Sequence, residues 1–108
     1  MEIAFANFQL RNEFESKRRL KKKYGDVLAK DLMQLVADLR AAESFGDFRK
    51  LGCDVTPTPT DEFLLEICQQ LSIWFKPNHV KNPMNSDGSL DLDRIQYIQI
   101  TGINYDKL

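Results

Sequence analysis

Apolar residues recur every three or four positions through the middle of the first half of the chain. This spacing is typical of a helix with one apolar face, and it predicts a helix over 26–43. Asp26 is the expected N-cap, and Tyr24-Gly25 is expected to close the segment before it, because glycine tolerates positive φ. The apolar stripe is wide enough to cover a sheet, and its members are Leu28, Leu32, Leu35, Val36, Leu39 and Ala42.

A shorter, more basic helix is predicted before this one. Glu2–Phe5 alternates polar and apolar residues and is short enough for a first strand. Asn7 can then cap a helix over 8–24, and Ser44 can cap a short helical turn over 45–50. The residues of the first helix that we expect to be buried are Phe8, Phe14 and Leu20.

The second half of the chain reads as strands. Segment 53–60 contains two prolines, which cannot donate to a sheet ladder, so it is either an edge strand or an extended loop. Gln69-Gln70 is placed for a tight turn between two alternating runs. The predicted strands are 62–68, 71–75 and 94–101. Helices followed by hairpin-spaced strands predict an α+β fold, with two N-terminal helices on a small antiparallel sheet in the order β-α-α-β-β-β.

Length and composition limit the class of protein to which this chain can belong. A chain of 108 residues with 43% hydrophobic and 29% charged residues predicts a single globular domain over 1–108. No apolar run approaches the roughly 20 residues of a membrane span, and the N-terminus does not resemble a signal peptide. We therefore expect a cytoplasmic protein without a membrane partner. Cys53 and Cys68 are too few to predict a metal site or disulfide framework, and Cys68 is expected in the core.

Charge is unevenly distributed along the chain. Residues 1–50 hold eleven Lys/Arg against eight Asp/Glu, a net of +3, whereas residues 51–108 hold four against eight, a net of −4. The excess is densest in 11–30, with eight basic and three acidic residues. The net charge of −1 does not by itself indicate a nucleic-acid partner, but the local basic patch permits one.

Several short motifs, in this order, resemble one protein family. They are Leu20–Gly25 (LKKKYG) with Ala29 and Leu32, Leu39–Glu43 (LRAAE) with Asp47 and Leu51, Ile73–Pro77 (IWFKP), and Asp87–Asp91 (DGSLD) with Arg94-Ile95. Together they cover nearly the whole chain. The sequence resembles the RelE/ParE toxin superfamily, specifically the HigB-like plasmid-maintenance killer proteins of type II toxin–antitoxin systems.

This resemblance implies a function. Toxins of this family cleave messenger RNA without a metal or other cofactor, usually in the ribosomal decoding site. A helix-turn-helix antitoxin binds and neutralises them. The resemblance therefore implies a metal-independent mRNA endoribonuclease that inhibits translation, with mRNA, an antitoxin and possible dependence on the ribosome as its partners.

The resemblance also implies candidate site residues. Tyr105 stands within a residue or so of the family's C-terminal tyrosine, and with Asp106 it is the candidate catalytic pair. The candidate RNA-binding residues are Arg18, Arg19, Lys21, Lys22, Lys23 and Lys76.

The chain departs from the family's pattern at three places. Ser72 occupies the position of the usual central-strand arginine, 53–61 contains no Lys, Arg or His, and the C-terminal histidine is missing. Metal-free RNA cleavage needs proton donors, proton acceptors and positive charge near the phosphate. Whether the protein is an enzyme thus stays open. The alternative is a catalytically diverged toxin relative that binds an antitoxin or another target.

Other features also allow plainer interpretations. The basic residues of 11–24 can be a solvated helix face, and Tyr105 and Asp106 can be a frayed end. His79, the single histidine, is expected to be an exposed loop residue. Trp74 is expected to pack under a helix. The acidic residues of 85–93 fit an Asp-Gly turn at Asp87-Gly88 better than a calcium loop.

Overall fold

Helices packed against one face of a five-stranded sheet make up the computed structural model, which describes residues 1–50, 55–57 and 62–106. The predicted α+β class is confirmed. In chain order the elements are β1 (Glu2–Phe5), α1 (Phe8–Glu15), α2 (Lys17–Ala41), α3 (Phe45–Arg49), β2 (Val55–Pro57), β3 (Phe63–Cys68), β4 (Leu71–Pro77) and β5 (Tyr97–Tyr105), with a 3₁₀ turn at Leu92–Arg94.

The strands lie in the order β1-β5-β4-β3-β2. β2 to β5 pair antiparallel with their sequence neighbours, as predicted, and the turn between β3 and β4 is at Gln69-Gln70. β1 instead pairs parallel to β5, with Phe5 opposite Ile100, so the sheet is mixed rather than wholly antiparallel. Most of the chain separates β1 from β5, and a long connection permits parallel pairing where a tight hairpin does not.

Helix α2 is interrupted at Gly25. This glycine has φ 85° and ψ 168°, a backbone conformation that is essentially restricted to glycine. The predicted helix end at Tyr24-Gly25 is therefore confirmed. Helical geometry resumes at Asp26, so the expectation that Asp26 is the non-helical capping residue is wrong. α2 consists of two helical segments, 17–24 and 26–41.

The predicted first helix over 8–24 is also divided. Ser16 adopts an extended conformation, ends α1 and begins α2, and its Oγ accepts a hydrogen bond from the Arg19 amide at 3.2 Å. The chain can therefore change direction between α1 and α2. The Asn7 cap is confirmed, since its Oδ1 accepts from the Leu10 amide at 2.9 Å.

The core lies between the helices and one face of the sheet. The predicted stripe of α2 is confirmed, with Leu32 and Leu39 fully buried, and Leu28 and Ala42 packed at the margin. The Phe45 ring contacts Phe63 and Phe75, with centroid distances of 4.8 and 5.4 Å, which joins α3 to β3 and β4. The expectation that Phe8 is buried is wrong, because its side chain is 75% exposed.

The opposite side of the sheet, which we call the open face, contains every second strand residue. Its described members in the central strands are Leu64, Glu66, Ser72, Trp74, Lys76, Gln99, Gly102 and Asn104. Trp74 therefore does not pack under a helix; it lies on this face beside Gly102. Cys68 is exposed rather than in the core, because the pairing of β3 shifts between Glu66 and Cys68.

The loop before β5 contains the predicted Asp-Gly turn. Gly88 has φ 88°, and the Asn85 amide donates to the Ser89 carbonyl at 2.7 Å. The Asp87 carboxylate accepts from both the hydroxyl and the amide of Ser89, which lowers the pKa of that carboxyl. Hydrogen bonds within the turn thus explain its acidic residue.

Among the helices of the described residues, none combines the length and apolar character that crossing a membrane requires.

Candidate nucleic-acid interface

A groove of about 880 Å³ runs between α1 and the first segment of α2. We call it the α1–α2 groove. Its walls come from the N-terminal end of α1 on one side and the basic turn of α2 on the other. The lining residues are Asn7, Phe8, Gln9, Asn12, Glu13, Arg19, Lys22 and Lys23.

The helical repeat of α2 determines which basic residues line this groove. Leu20 and Tyr24, four residues apart, are buried and anchor the first segment of α2 on the core. Lys22 and Lys23 follow Arg19 by three and four residues, so the three side chains project together from another side of the same helix. The Ser16 junction places that side opposite α1.

An ion pair joins the two walls of the groove. Lys23 Nζ lies 2.6 Å from Glu13 Oε1, and the Glu13 side chain is only 13% exposed. The hydrogen bond to Glu13 is the main reason that the pKa of Lys23 is raised, although partial burial opposes it. Glu13 therefore compensates the charge of Lys23, whereas Arg19 and Lys22 have no ion-pair partner among the described residues.

A tyrosine pair lies beside a smaller recess of about 230 Å³, which shares Glu13 and Lys23 with the groove and is also lined by Tyr24 and by 101–103 of β5. The rings of Tyr24 and Tyr105 meet edge to face with centroids 5.0 Å apart, and Lys23 Nζ is 5.6 Å from the Tyr24 ring centroid. Burial raises the pKa of Tyr24. Tyr105 lines neither the groove nor the recess, and its ring is connected to them through Tyr24.

The candidate catalytic residue Asp106 is placed differently. It is exposed, and its amide donates to the Gln70 carbonyl at 2.8 Å. Its carboxylate forms no ion pair within the described part of the chain. The structure therefore associates Tyr105 with the groove through Tyr24, and does not bring the Asp106 carboxylate into that contact.

The six candidate RNA-binding residues do not form one surface. Arg19, Lys22 and Lys23 line the groove, and Arg18 and Lys21 are exposed on the same helix outside the lining. Lys76 is exposed on the open face, on the other side of the sheet. Five candidates thus belong to one helical segment, and the sixth is separate.

The open face contains little of the charge expected for RNA chemistry. Among its described residues in β3, β4 and β5, Lys76 is the cation, and no arginine or histidine is present. Ser72 is paired with Glu66 on one side and Asn104 on the other. The central-strand departure from the family pattern, Ser72 in place of arginine, therefore lies on this face.

His79 has a structural role and is not simply an exposed loop residue. Its Nε2 accepts from the amides of Gln96 and Tyr97, at 3.1 and 3.4 Å, and its ring meets Tyr97 edge to face. An accepting Nε2 requires the tautomer with hydrogen on Nδ1. His79 thus completes the hydrogen bonds where β5 begins.

Metal ligands are not grouped in the described ranges 1–50, 55–57 and 62–106. There, no cluster of three or more His, Cys, Asp or Glu is placed to hold an ion.

Comparisons with known proteins found no match: no family model, no curated protein and no solved structure is similar to this chain.

Two groove residues, Phe8 and Glu13, are not predicted from the sequence. The expectation that Phe8 is buried accompanies the prediction of one unbroken helix over 8–24. The signal against this is Ser16, a favoured N-cap residue that indicates a second helix start. Glu13 and Lys23 are ten residues apart on different helices, so no helical spacing rule pairs them.

Proposed function

We propose that this protein is the toxin of a type II toxin–antitoxin pair, of the RelE/ParE kind, and that it acts on RNA. The observation that carries the proposal is the α1–α2 groove, where Arg19 and Lys22 have no ion-pair partner among the described residues and Lys23 lies 5.6 Å from the ring centroid of Tyr24. Residues 8–24 hold seven Lys/Arg and two Asp/Glu, a net of +5 in a chain of net charge −1. Such a local excess suits a polyanion.

The groove cations are the proposed backbone contacts. Arg19 has a planar guanidinium that can donate two hydrogen bonds to one phosphate, and Lys22 adds a second charge one helical turn away. Arg18 and Lys21 extend the same charge onto the neighbouring helix surface. Lys76 is too far separated by the sheet to share this contact, and we assign it no part in it.

Cleavage without a metal would use the tyrosine pair beside the smaller recess. In such a reaction a general base accepts the proton of the RNA 2′-hydroxyl while its oxygen attacks the adjacent phosphorus. The bond from phosphorus to the 5′-oxygen breaks, which leaves a 2′,3′-cyclic phosphate, and the 5′-oxygen takes a proton from a general acid. A phenol such as that of Tyr105 can supply that proton. Asp106 is a weaker candidate for the base, because its carboxylate does not enter the contact between Tyr24 and Tyr105.

The proposed partners follow from this role. They are mRNA, with or without the ribosome, and a helix-turn-helix antitoxin that covers the toxin. The proposed place of action is the cytoplasm, where translation occurs.

The test is induced expression in a bacterial host, with growth and mRNA cleavage measured together. We expect the wild type to arrest growth and cut messages. The variant R18E/R19E/K21E/K22E should lose both effects, because four charges near the proposed RNA contact are reversed. The matched control K30E/R40E reverses two exposed cations of the second segment of α2 and should remain toxic. A wild type that neither arrests growth nor cuts RNA would contradict the proposal.

A second candidate function is a binding module that has lost cleavage. It is favoured by the open face, which lacks arginine and histidine among its described strand residues, and by the packing of the Tyr105 ring on Tyr24. Such a module would bind an antitoxin-like partner without cutting RNA. If purified wild type cleaves RNA and Y105F does not, the binding-only function is refuted. If both proteins are inert but bind a helix-turn-helix antitoxin, it is supported.

A further inference from the structure

We propose that Phe8 is a stacking platform for one unpaired nucleobase, and that the α1–α2 groove therefore selects single-stranded over double-stranded RNA. The proposal rests on the RNA-directed function above and adds a specific residue and a specific form of RNA to it.

Phe8 occupies an exposed position at the start of α1. It is the first residue of α1, directly after the Asn7 cap, and its ring is 75% exposed while it lines the groove. The cap holds the backbone that carries this ring. An exposed aromatic ring on an ordered helix end offers a flat apolar surface without a large further loss of side-chain freedom.

The Phe8 ring shares the groove with uncompensated positive charge. Lys23 is compensated by Glu13, so Arg19 and Lys22 provide the uncompensated charge of the groove wall. A wall of cations facing an aromatic ring matches a nucleotide, which combines an anionic phosphate with a planar base. Proteins that bind single strands combine these same two elements, a basic groove and a stacking aromatic side chain.

The groove also has room for a nucleotide, because its volume of about 880 Å³ lies within the range of roughly 300–1,000 Å³ for small-molecule pockets. In a duplex the bases are already stacked on each other. A duplex could place its phosphates against the cations, but it would have to unstack a base to reach Phe8.

The experiment measures binding of a fluorescently labelled 12-nucleotide RNA, alone and annealed to its complement, by anisotropy with purified protein. Wild type should bind the single strand more tightly. F8A should weaken single-strand binding about tenfold and leave duplex binding nearly unchanged, because stacking is removed while charge is kept. F8W should restore binding, and the RNA should quench its indole fluorescence more than that of the wild type, whose single tryptophan is Trp74.

The control is V27A. Val27 is 74% exposed on the same helix as the cations and outside the groove lining, so it matches Phe8 in exposure. V27A should bind both RNAs like the wild type. Equal urea midpoints for F8A, V27A and wild type will show that the variants are folded.

The inference would be overturned if F8A bound the single strand as tightly as the wild type does. It would also be overturned if the wild type bound the duplex more tightly than the single strand. Impaired binding of F8A to an antitoxin with unchanged RNA binding would also overturn it, because Phe8 would then serve a protein partner. Failure of the proposed function looks different. If the protein binds single strands through Phe8 but neither cuts RNA nor arrests growth, the role of Phe8 is supported and the proposed toxin function is refuted.

Discussion

The α1–α2 groove and the open face of the sheet are both accessible surfaces, but their chemistry differs. The groove combines Arg19 and Lys22 with an exposed aromatic ring, Phe8. The open face presents Trp74 beside Gly102. Among its described residues in β3, β4 and β5, the cation is Lys76. Among the described residues, basic side chains are therefore concentrated on the first segment of α2 and not on the open face of the sheet.

Secondary structure explains part of this difference. A short helical segment such as 17–24 can direct several basic residues to one side while Leu20 and Tyr24 hold it on the core. A strand gives every second residue to the core, so β4 has few positions left for charge. The proposed RNA contact is therefore expected at the α1–α2 groove and not on the open face, and the following predictions test this difference.

The largest expected effect is on stability. Leu20 is fully buried beneath the groove, so L20A should lower the free energy of unfolding by about 2–5 kcal/mol. L64A, on the open face and half-buried, should cost about 1 kcal/mol or less. Urea denaturation of both variants gives the comparison. Equal losses would mean that the two faces contribute alike to the core.

The next effect is on RNA affinity. R19E/K22E should weaken single-stranded RNA binding by roughly 10- to 100-fold and reduce the salt slope by about 0.7 for each phosphate that the protein no longer neutralises. K76E should change neither quantity much, because Lys76 lies across the sheet. Anisotropy titrations at several salt concentrations measure both. A greater weakening in K76E would place the RNA on the open face instead.

A backbone effect follows at Gly25. G25A should lower the free energy of unfolding by about 1–3 kcal/mol, because alanine strongly disfavours φ 85° with ψ 168°. A Cβ there would touch nothing, so the cost comes from the backbone. At Gly102 a Cβ would reach Trp74 only at 4.0 Å, so G102A serves as the control and should be milder. Similar midpoints for both variants in urea would argue against strain at Gly25.

The smallest effect is on alkaline stability. The pKa values of Lys23 and Tyr24 are both raised, so the folded protein holds these protons more tightly than the unfolded chain. This contribution is complete below a pH of about 10 and is lost as the pH rises through the raised values. The urea midpoint should therefore fall as the pH rises above about 10, through the raised pKa values of these two groups. E13Q should reduce this fall, since Glu13 is the main cause of the Lys23 shift; an unchanged pH dependence in E13Q would exclude that cause.

The parts of the fold that depend on local pattern are predictable from the sequence. The apolar stripe of α2, the Asn7 and Ser44 caps, the turn at Gln69-Gln70 and the Asp-Gly turn all occur as expected. Each depends on residues within a few positions of one another, and local sterics and hydrogen bonding determine them.

The candidate site is less predictable. Of the basic residues proposed from the sequence, Arg19, Lys22 and Lys23 line the groove, but Phe8 and Glu13 join them only in the folded protein. Phe8 is apolar and therefore suggests the core, and Glu13 gains its importance only through Lys23. The expectations for Trp74, Cys68 and His79 are wrong for a related reason, since strand register and loop closure decide their surroundings.

By itself, the sequence determined the apolar stripe of α2, the Asn7 and Ser44 caps, the turns at Gln69-Gln70 and Asp87-Gly88, and the concentration of positive charge before Gly25. Those properties follow from neighbouring residues and from composition. Only the tertiary structure decided that β1 lies parallel to β5, that Lys76 is separated from the other cations, and that Glu13, Lys23 and the tyrosines meet beside the groove. These contacts join residues far apart in the chain, and the packing of the whole core selects them.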